Sequence, residues 1–285
     1  AVTVLFLFIV MMLNIKAIDF SKEIIYSLPI GSFFGFVFIY LLYVVSFDNG
    51  SVNRLSSVFV NLHYFDWKSI MENITNIDVF EAGRTDSFVH AEQLFAHFDL
   101  EYELNLNEVI YKLNSILPND IVVHAIFEVK DDAHARFDAT ARSYEYRIYK
   151  GRNPFLTETT LQLNNKKLNV DKMNEAAKIL LTYTNFQCFS RSNTDVKTFN
   201  CTISNAIWEE NEKELVFHIS ADRFLRNMVR AIVGTLIEIG EGKTTIEDFK
   251  KIIESKNRSN AGPSVPAQGL FLTRVTYPKK LFINE

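Results

Sequence analysis

The sequence has 285 residues, 48% of them hydrophobic, so it can bury the core of one large domain or two medium ones. Its formal net charge of −4 argues against a protein whose whole surface coats nucleic acid, because such proteins are usually basic. Cys188 and Cys201 lie in no C-x-x-C pair and no Cys/His cluster with zinc-like spacing. We therefore expect two free thiols and no metal site.

The first 66 residues form an apolar segment that differs in texture from the rest of the chain. Residues 1–13 are almost entirely apolar, and residues 24–47 include no charged side chain. A helix over 24–47 would be long enough to cross a bilayer, and a globular helix would normally show one polar face. We therefore predict apolar N-terminal helices, and two interpretations stay open. The segment either attaches the chain to a membrane through residues 24–47 or is foreign to the domain that follows.

From residue 67 onward charged and apolar residues interleave, and strand and helix patterns alternate. The period-2 patterns predict strands over 77–82, 121–129, 143–150, 202–209, 215–221 and 270–277. The helical patterns predict helices over 106–117, 170–182, 224–239 and 245–255. Gly240 is expected to close the third of these helices at its C-terminus. Because strands and helices mix without strict βαβ alternation, the pattern favours an α+β fold, with a mainly antiparallel sheet and flanking helices.

The first group of chemically suggestive residues is Gly-Arg-Thr-Asp at 83–86, directly after a predicted strand. A glycine at the end of a strand permits a sharp turn. Arg84 and Asp86, two residues apart in such a loop, can hold a carboxylate in a defined place. On residue types alone, a solvated surface ion pair explains the same pattern, so both interpretations stay open at this point.

The second group is the segment 134–146, which alternates basic and aromatic residues as it enters a predicted strand. Its members include Arg136, Arg142 and Tyr144. A nucleic-acid surface needs cations for the phosphates and flat rings on which an unstacked base can lie. The alternative is a solvent-facing strand with ordinary aromatic packing.

The third group lies on the predicted helix 224–239 and just before it. At helical spacing, Arg223, Arg226, Asn227 and Arg230 would share one face. Such a face can bind phosphates or pair with a buried carboxylate. A solvated charged face is the alternative.

Together, several segments closely resemble the TruA-type tRNA pseudouridine synthases, from about residue 77 to residue 277 and in that family's order and spacing. The segments are Glu-Ala-Gly-Arg-Thr-Asp at 81–86, His-Ala-Arg-Phe at 134–137, Ala-Thr-Ala-Arg-Ser-Tyr-Glu-Tyr at 139–146, residues 186–190, Asn-Met-Val-Arg at 227–230 with Val-Gly at 233–234, and Ala-Gln-Gly-Leu at 267–270. The resemblance implies a cytoplasmic enzyme that needs no cofactor and isomerises uridines in the anticodon stem-loop of tRNA.

The resemblance also implies an organisation and a set of roles. The fold would be the two-part pseudouridine synthase fold, with a partial N-terminal half at 67–138 and a C-terminal half at 139–285, in a homodimer with RNA lying across both subunits. Asp86 would be the catalytic carboxylate and Arg230 its partner. Tyr144 would pack against the target uracil, and Arg84 would position the RNA and the loop. We further expect four residues to contact RNA: Arg136, Arg142, Arg226 and Asn227.

The chain departs from the family in two places. Residues 1–66 lack the Tyr-Asp-Gly-Thr pattern of the family's first strand, and Ser87 and Phe88 stand where the family usually has small residues. If position 88 needs a positive φ, a bulky side chain strains it. Two other functions therefore stay open: a catalytically impaired RNA-binding remnant, and a membrane-anchored interaction protein on the same scaffold.

Overall fold

The computed structural model describes residues 58–62, 79–83, 86–99, 105–164, 166–192 and 196–283. The described residues all belong to the unit Asn49–Glu285. The predicted N-terminal helices and the membrane attachment through residues 24–47 lie outside the described residues. In the part of the chain that is described, no helix is long and apolar enough to span a membrane.

A single mixed sheet organises the described part of the chain. Its strands are β1 (Val58–Leu62), β2 (Phe80–Glu81), β3 (His90–His97), β4 (Ile121–Ile126), β5 (Ala141–Lys150), β6 (Leu161–Leu163), β7 (Ile203–Glu210), β8 (Glu214–Ala221) and β9 (Leu270–Thr276). They lie in the order β4-β1-β3-β9-β5-β8-β7, with β2 added to β3 and β6 added to β5. The β3–β9 and β5–β6 pairs are parallel, and the other described pairs are antiparallel. The predicted α+β fold with a mainly antiparallel sheet is confirmed.

Helices flank this sheet, and their starts follow from local capping. The described helices are α1 (Leu106–Ile116), α2 (Val170–Leu180), α3 (Met228–Gly240) and α4 (Ile246–Ser255). The side chains of Asn105, Asn169 and Thr245 accept a hydrogen bond from the main chain of the first turn of α1, α2 and α4. Each cap satisfies one N–H group that would otherwise lack a partner.

The main core lies between α2, α3, α4 and the sheet half formed by β5, β7 and β8. Alternate residues of β8 are buried, among them Phe217, which pairs with Tyr146 on β5 and with Trp208 on β7. Helix α3 is buried around most of its circumference, as expected of a central helix. The packing of α3 therefore fixes the residues at its N-terminus relative to the sheet.

The start of α3 differs from the prediction. The helix begins at Met228 instead of residue 224, because Asn227 adopts the left-handed conformation with φ 65° and cannot continue a right-handed helix. Arg223, Arg226 and Asn227 therefore precede the helix, and the prediction that they share a helical face with Arg230 is wrong.

The end of α3 carries Gly240, as predicted, but for another reason. The left-handed residue is Gly242, with φ +74°, whereas Gly240 is the last helical residue. A Cβ added to Gly240 would come within 2.6 Å of the Met173 Sδ atom on α2. The glycine therefore permits close packing of α3 against α2.

Three strands escape the sequence patterns: β1, β3 and the three-residue β6. Strand β3 is buried at six of its eight positions, so it shows no period-2 alternation. Strand β1 lies between β4 and β3, within the residues that the sequence assigns to the apolar segment. The sheet thus includes residues before the predicted boundary at 66, while the division into 1–66, 67–138 and 139–285 stays a prediction.

The two cysteines are free and buried, as expected from their spacing. Burial raises the pKa of the Cys188 and Cys201 thiols to about 12. Because the thiolate is the reactive form, both side chains act as core residues at neutral pH.

Candidate active site

Asp86 lies in the tight loop between β2 and β3. The Val89 N–H donates to the Asp86 carbonyl at 3.1 Å, and the Ala82 N–H donates to the Phe95 carbonyl at 2.8 Å, which ties the start of the loop to β3. Arg84, the expected RNA-positioning residue, lies outside the described residues. The Asp86 side chain keeps 28% of its surface exposed, so a substrate can reach it.

The Asp86 carboxylate meets two arginines, Arg226 just before α3 and Arg230 in its first turn. Arg230 Nη1 lies 3.1 Å from Oδ2, within hydrogen-bond distance, and Arg226 Nε lies 3.8 Å from Oδ1. Arg230 is 21% exposed and Arg226 is 50% exposed at the side chain. One carboxylate oxygen is therefore held, while the other faces a longer and more open ion pair.

Arg230 is itself fixed by the segment that precedes β9. Its Nε donates to the Val265 carbonyl at 2.7 Å, and its own carbonyl accepts from the Val265 N–H at 3.2 Å. Next to it, Asn227 Nδ2 donates to Ser264 Oγ at 2.6 Å. The sequence patterns do not predict the role of this segment, although its position directly before the motif at 267–270 is a signal that could indicate it.

Tyr144 lies on β5 with its ring edge-to-face against Phe224, at a centroid distance of 5.2 Å. Burial raises the pKa of the Tyr144 phenol, and the neighbouring charges of Arg142 and Asp86 act on it in opposite directions. The phenol therefore stays protonated at neutral pH. Phe224 supports the ring from one side. The sequence patterns do not predict this contact, because they place Phe224 inside the helix 224–239.

Arg136 lies at the end of a row of aromatic rings formed by Phe137, His134 and His97. Its guanidinium lies 5.7 Å from the centre of the exposed Phe137 ring. The ring centroids of His134 and Phe137 are 4.3 Å apart, and those of His97 and His134 are 4.6 Å apart. The arrangement places a cation beside exposed aromatic surface, as the alternation in the sequence indicates.

Arg142 differs from the other expected RNA-contacting residues. Its Nη2 donates to the carbonyls of Ala82 and Arg136 at 2.8 and 2.7 Å, and its Nη1 donates to the Asp222 carbonyl at 3.2 Å. Its guanidinium thus faces the main chain of three loops.

Phe88 has φ 72°, so position 88 does adopt the left-handed conformation in which a bulky side chain is strained. Replacing Phe88 with glycine should raise the free energy of unfolding by about 1 kcal/mol, because glycine adopts this conformation without a Cβ clash. Urea denaturation measures the change. Ser87→Gly is the matched control, since Ser87 lies in the same turn without a positive φ, and it should bring no gain. Equal stability of the wild type and Phe88→Gly would contradict the strain.

Chemically, the arrangement offers a carboxylate with one oxygen held by Arg230, a protonated phenol within electrostatic range of it, and the half-exposed Arg226 next to the carboxylate. A carboxylate so placed can act as a nucleophile or as a proton acceptor. Among the described residues, no group of three or more His, Cys, Asp or Glu side chains could hold a metal ion.

Comparisons with known proteins give the same direction. The family model for tRNA pseudouridine synthase matches residues 176–278. Proteins named tRNA pseudouridine synthase A are similar to this chain. The protein from Bacteroides fragilis is 53% identical over 207 residues, covering 72% of this chain and 82% of the relative. The protein from Bacteroides thetaiotaomicron is 50% identical over 213 residues, covering 74% and 79%.

A relative with lower identity matches a similar share of the chain. The tRNA pseudouridine synthase A of Clostridium acetobutylicum is 40% identical over 202 residues, covering 70% of this chain and 83% of the relative. The family-model match includes Arg226 and Arg230, the two arginines at Asp86. With identities of this size over more than two thirds of its length, this chain belongs to the tRNA pseudouridine synthase family.

Proposed function

We propose that this chain isomerises uridine to pseudouridine in the anticodon stem-loop of tRNA, with Asp86 as the essential carboxylate. The observation that carries the proposal is the ion pair between Asp86 and Arg230, at 3.1 Å and close to Tyr144. It occurs in a chain that is 53% identical to a protein named tRNA pseudouridine synthase A.

The reaction breaks the bond between uracil N1 and ribose C1′, turns the base, and joins C5 to C1′. The proton on C5 leaves, and N1 gains one, so atoms and electrons balance without an oxidant or a reductant. Asp86 Oδ1, the oxygen without the short hydrogen bond to Arg230, is the atom we assign to the substrate. It would either attack C1′ or accept a proton from the sugar or base.

Tyr144 receives the uracil in this proposal. A uridine within a stem or stacked loop must leave the stack before its C1′ can meet a carboxylate. The ring of Tyr144 packs nearly perpendicular to the ring of Phe224, which restricts its orientation. Fixing the aromatic ring lowers the entropy lost when a base packs against it.

Exposed cations on the described segments would hold the RNA. Arg226 is half-exposed at its side chain, and Arg136 stands over the exposed Phe137 ring. Together with Asn227 and with Arg84, they would bind phosphates on either side of the flipped nucleotide. A local group of cations explains how a chain with a net charge of −4 binds RNA.

We also propose that the chain works as a homodimer in the cytoplasm, where its tRNA substrate is. The support is the family resemblance, which implies a homodimer with RNA lying across both subunits. Light scattering of the purified chain would check the dimer, and a monomeric mass with full activity would contradict it.

The test of the function is tritium release from an unmodified tRNA transcript whose uridines are labelled at C5. Each isomerisation exchanges one C5 hydrogen with water, so release by the 285-residue chain counts the modified uridines. Mapping the product should place pseudouridine in the anticodon stem-loop. Salt-sensitive tRNA binding without any release would favour the impaired remnant instead.

Tyr144→Ala should slow the single-turnover rate by about a hundredfold, because a ring-on-base contact contributes about 1–3 kcal/mol. Tyr144→Phe keeps the ring and should stay within about tenfold of the wild type. Tyr111→Ala, which removes an exposed ring on α1, is the control and should leave the rate unchanged. If Tyr144→Ala also leaves it unchanged, the target base does not use this ring.

A further inference from the structure

We infer that Arg142 is a positioning residue that holds three loops of the site together, and that it is not a phosphate ligand. The inference rests on the proposed function for its catalytic consequence, but its structural part does not depend on activity. Both N–H groups of Nη2 are used, one on the Ala82 carbonyl at 2.8 Å and one on the Arg136 carbonyl at 2.7 Å. Nη1 donates to the Asp222 carbonyl at 3.2 Å.

Each of these carbonyls belongs to a segment that leads to a proposed site residue. Ala82 lies at the start of the loop that carries Asp86. Arg136 is itself a proposed RNA contact. Asp222 opens the connection between β8 and α3, which carries Arg226. A single guanidinium therefore sets the distance between the carboxylate loop and the two RNA-facing segments.

Two of the three segments have side-chain hydrogen bonds of their own that do not involve Arg142. The turn at 134–138 is closed by the Asp138 carboxylate, which accepts from the His134 N–H at 2.6 Å. Asp222 Oδ1 accepts from the N–H groups of Thr202 and Arg223, each at 2.7 Å. The Asp86 loop has anchors too, in the Ala82 N–H bond to the Phe95 carbonyl and the Arg230 bond to Asp86, and the bond from Arg142 links this loop to the other two segments.

The geometry suits arginine and no other side chain. A planar guanidinium directs its donors into a fixed fork, which matches carbonyls approaching from several sides, whereas a lysine ammonium is a compact charge that cannot span them. A phosphate ligand would instead keep its N–H groups directed towards solvent, and lysine would replace it with little loss. Arg142→Lys therefore separates the two roles.

Hydrogen exchange and kinetics test the inference on the full chain. We expect Arg142→Gln and Arg142→Lys to speed amide exchange in the Asp86 loop, including the Val89 N–H, by about tenfold or more. Under single-turnover and steady-state assay, kcat should fall by about a hundredfold, because the carboxylate is displaced from its productive position. KM for tRNA and its salt dependence should stay near those of the wild type.

Arg147→Gln is the matched control. Arg147 lies on the same strand and also donates three hydrogen bonds, two to Glu145 and one to Glu92. Its loss should leave both the exchange of the Asp86 loop and kcat unchanged.

The outcomes are distinct. A raised KM and a salt slope lower by about one, with unchanged exchange and with rescue by Arg142→Lys, would overturn the inference and make Arg142 a phosphate ligand. Unchanged exchange in both Arg142 variants would overturn it as well. If amide exchange rises in the Arg142 variants while the wild type releases no tritium, the positioning role of Arg142 is supported and the proposed function fails. Should Arg142→Gln not fold, the exchange of Arg142→Lys decides.

Discussion

Replacing Asp86 with asparagine is expected to lower the single-turnover rate of pseudouridine formation by at least about a thousandfold. Asparagine has the same shape, and its Oδ1 can still accept the hydrogen bond from Arg230 that Asp86 accepts at 3.1 Å. It carries no charge and is neither a nucleophile nor a base. Affinity for tRNA, measured by filter binding at fixed salt, should therefore change little while tritium release disappears.

The control for this variant is Asp222→Asn. Asp222 is a carboxylate in the neighbouring loop whose Oδ1 accepts two main-chain N–H groups, and an asparagine oxygen can accept both. Turnover should stay within about threefold of the wild type, since Asp222 is assigned no contact with the substrate that its charge would strengthen. Turnover of Asp86→Asn equal to that of Asp222→Asn would refute the role assigned to Asp86.

Gly234→Ala should lower the free energy of unfolding by about 3 kcal/mol or more, as expected for overpacking against rigid backbone. Alanine in a helix interior normally stabilises by about 1 kcal/mol relative to glycine, so helix propensity predicts the opposite sign. In α3, however, a Cβ at position 234 would lie 1.8 Å from the Pro263 carbonyl oxygen. To relieve the clash, the segment that carries Val265 must move, and Arg230 loses its two main-chain partners there.

Gly240→Ala is the matched comparison on the same helix. There the added Cβ would meet the Met173 Sδ at 2.6 Å, the flexible part of a side chain that can change rotamer. Its cost should be smaller, about 1–2 kcal/mol in urea denaturation. If Gly234→Ala were as stable as the wild type, residues 262–265 would not pack against α3 as described.

The sequence predicts best what is decided locally. The hairpin of β7 and β8 turns at residues 211–213, between two predicted strands, and every second residue of β8 is buried. Helices α1, α2 and α4 follow their apolar periodicity and begin after Asn or Thr caps. In each case the signal and the structure lie within a few residues of each other.

Long-range pairing and unusual backbone conformations limit prediction from the sequence. The ion pair of Asp86 and Arg230 joins positions 144 residues apart, and only the family resemblance implied it. The apolar periodicity continues through residues 224–239, but the left-handed Asn227 interrupts the helix. The prediction that the arginines share one helical face is therefore wrong. Residue type alone also cannot reveal that Arg142 donates to carbonyls, because phosphates attract the same guanidinium.

The central claim is that an unstacked uridine lies between Asp86 and the ring of Tyr144. A structure of the Asp86→Asn variant bound to unmodified tRNA tests it most directly, because the substrate stays intact. We expect the target ribose C1′ at about 3–3.5 Å from the side chain at position 86, with the uracil against Tyr144. A target nucleotide that stays stacked in the RNA, or that is held elsewhere on the surface, would contradict it.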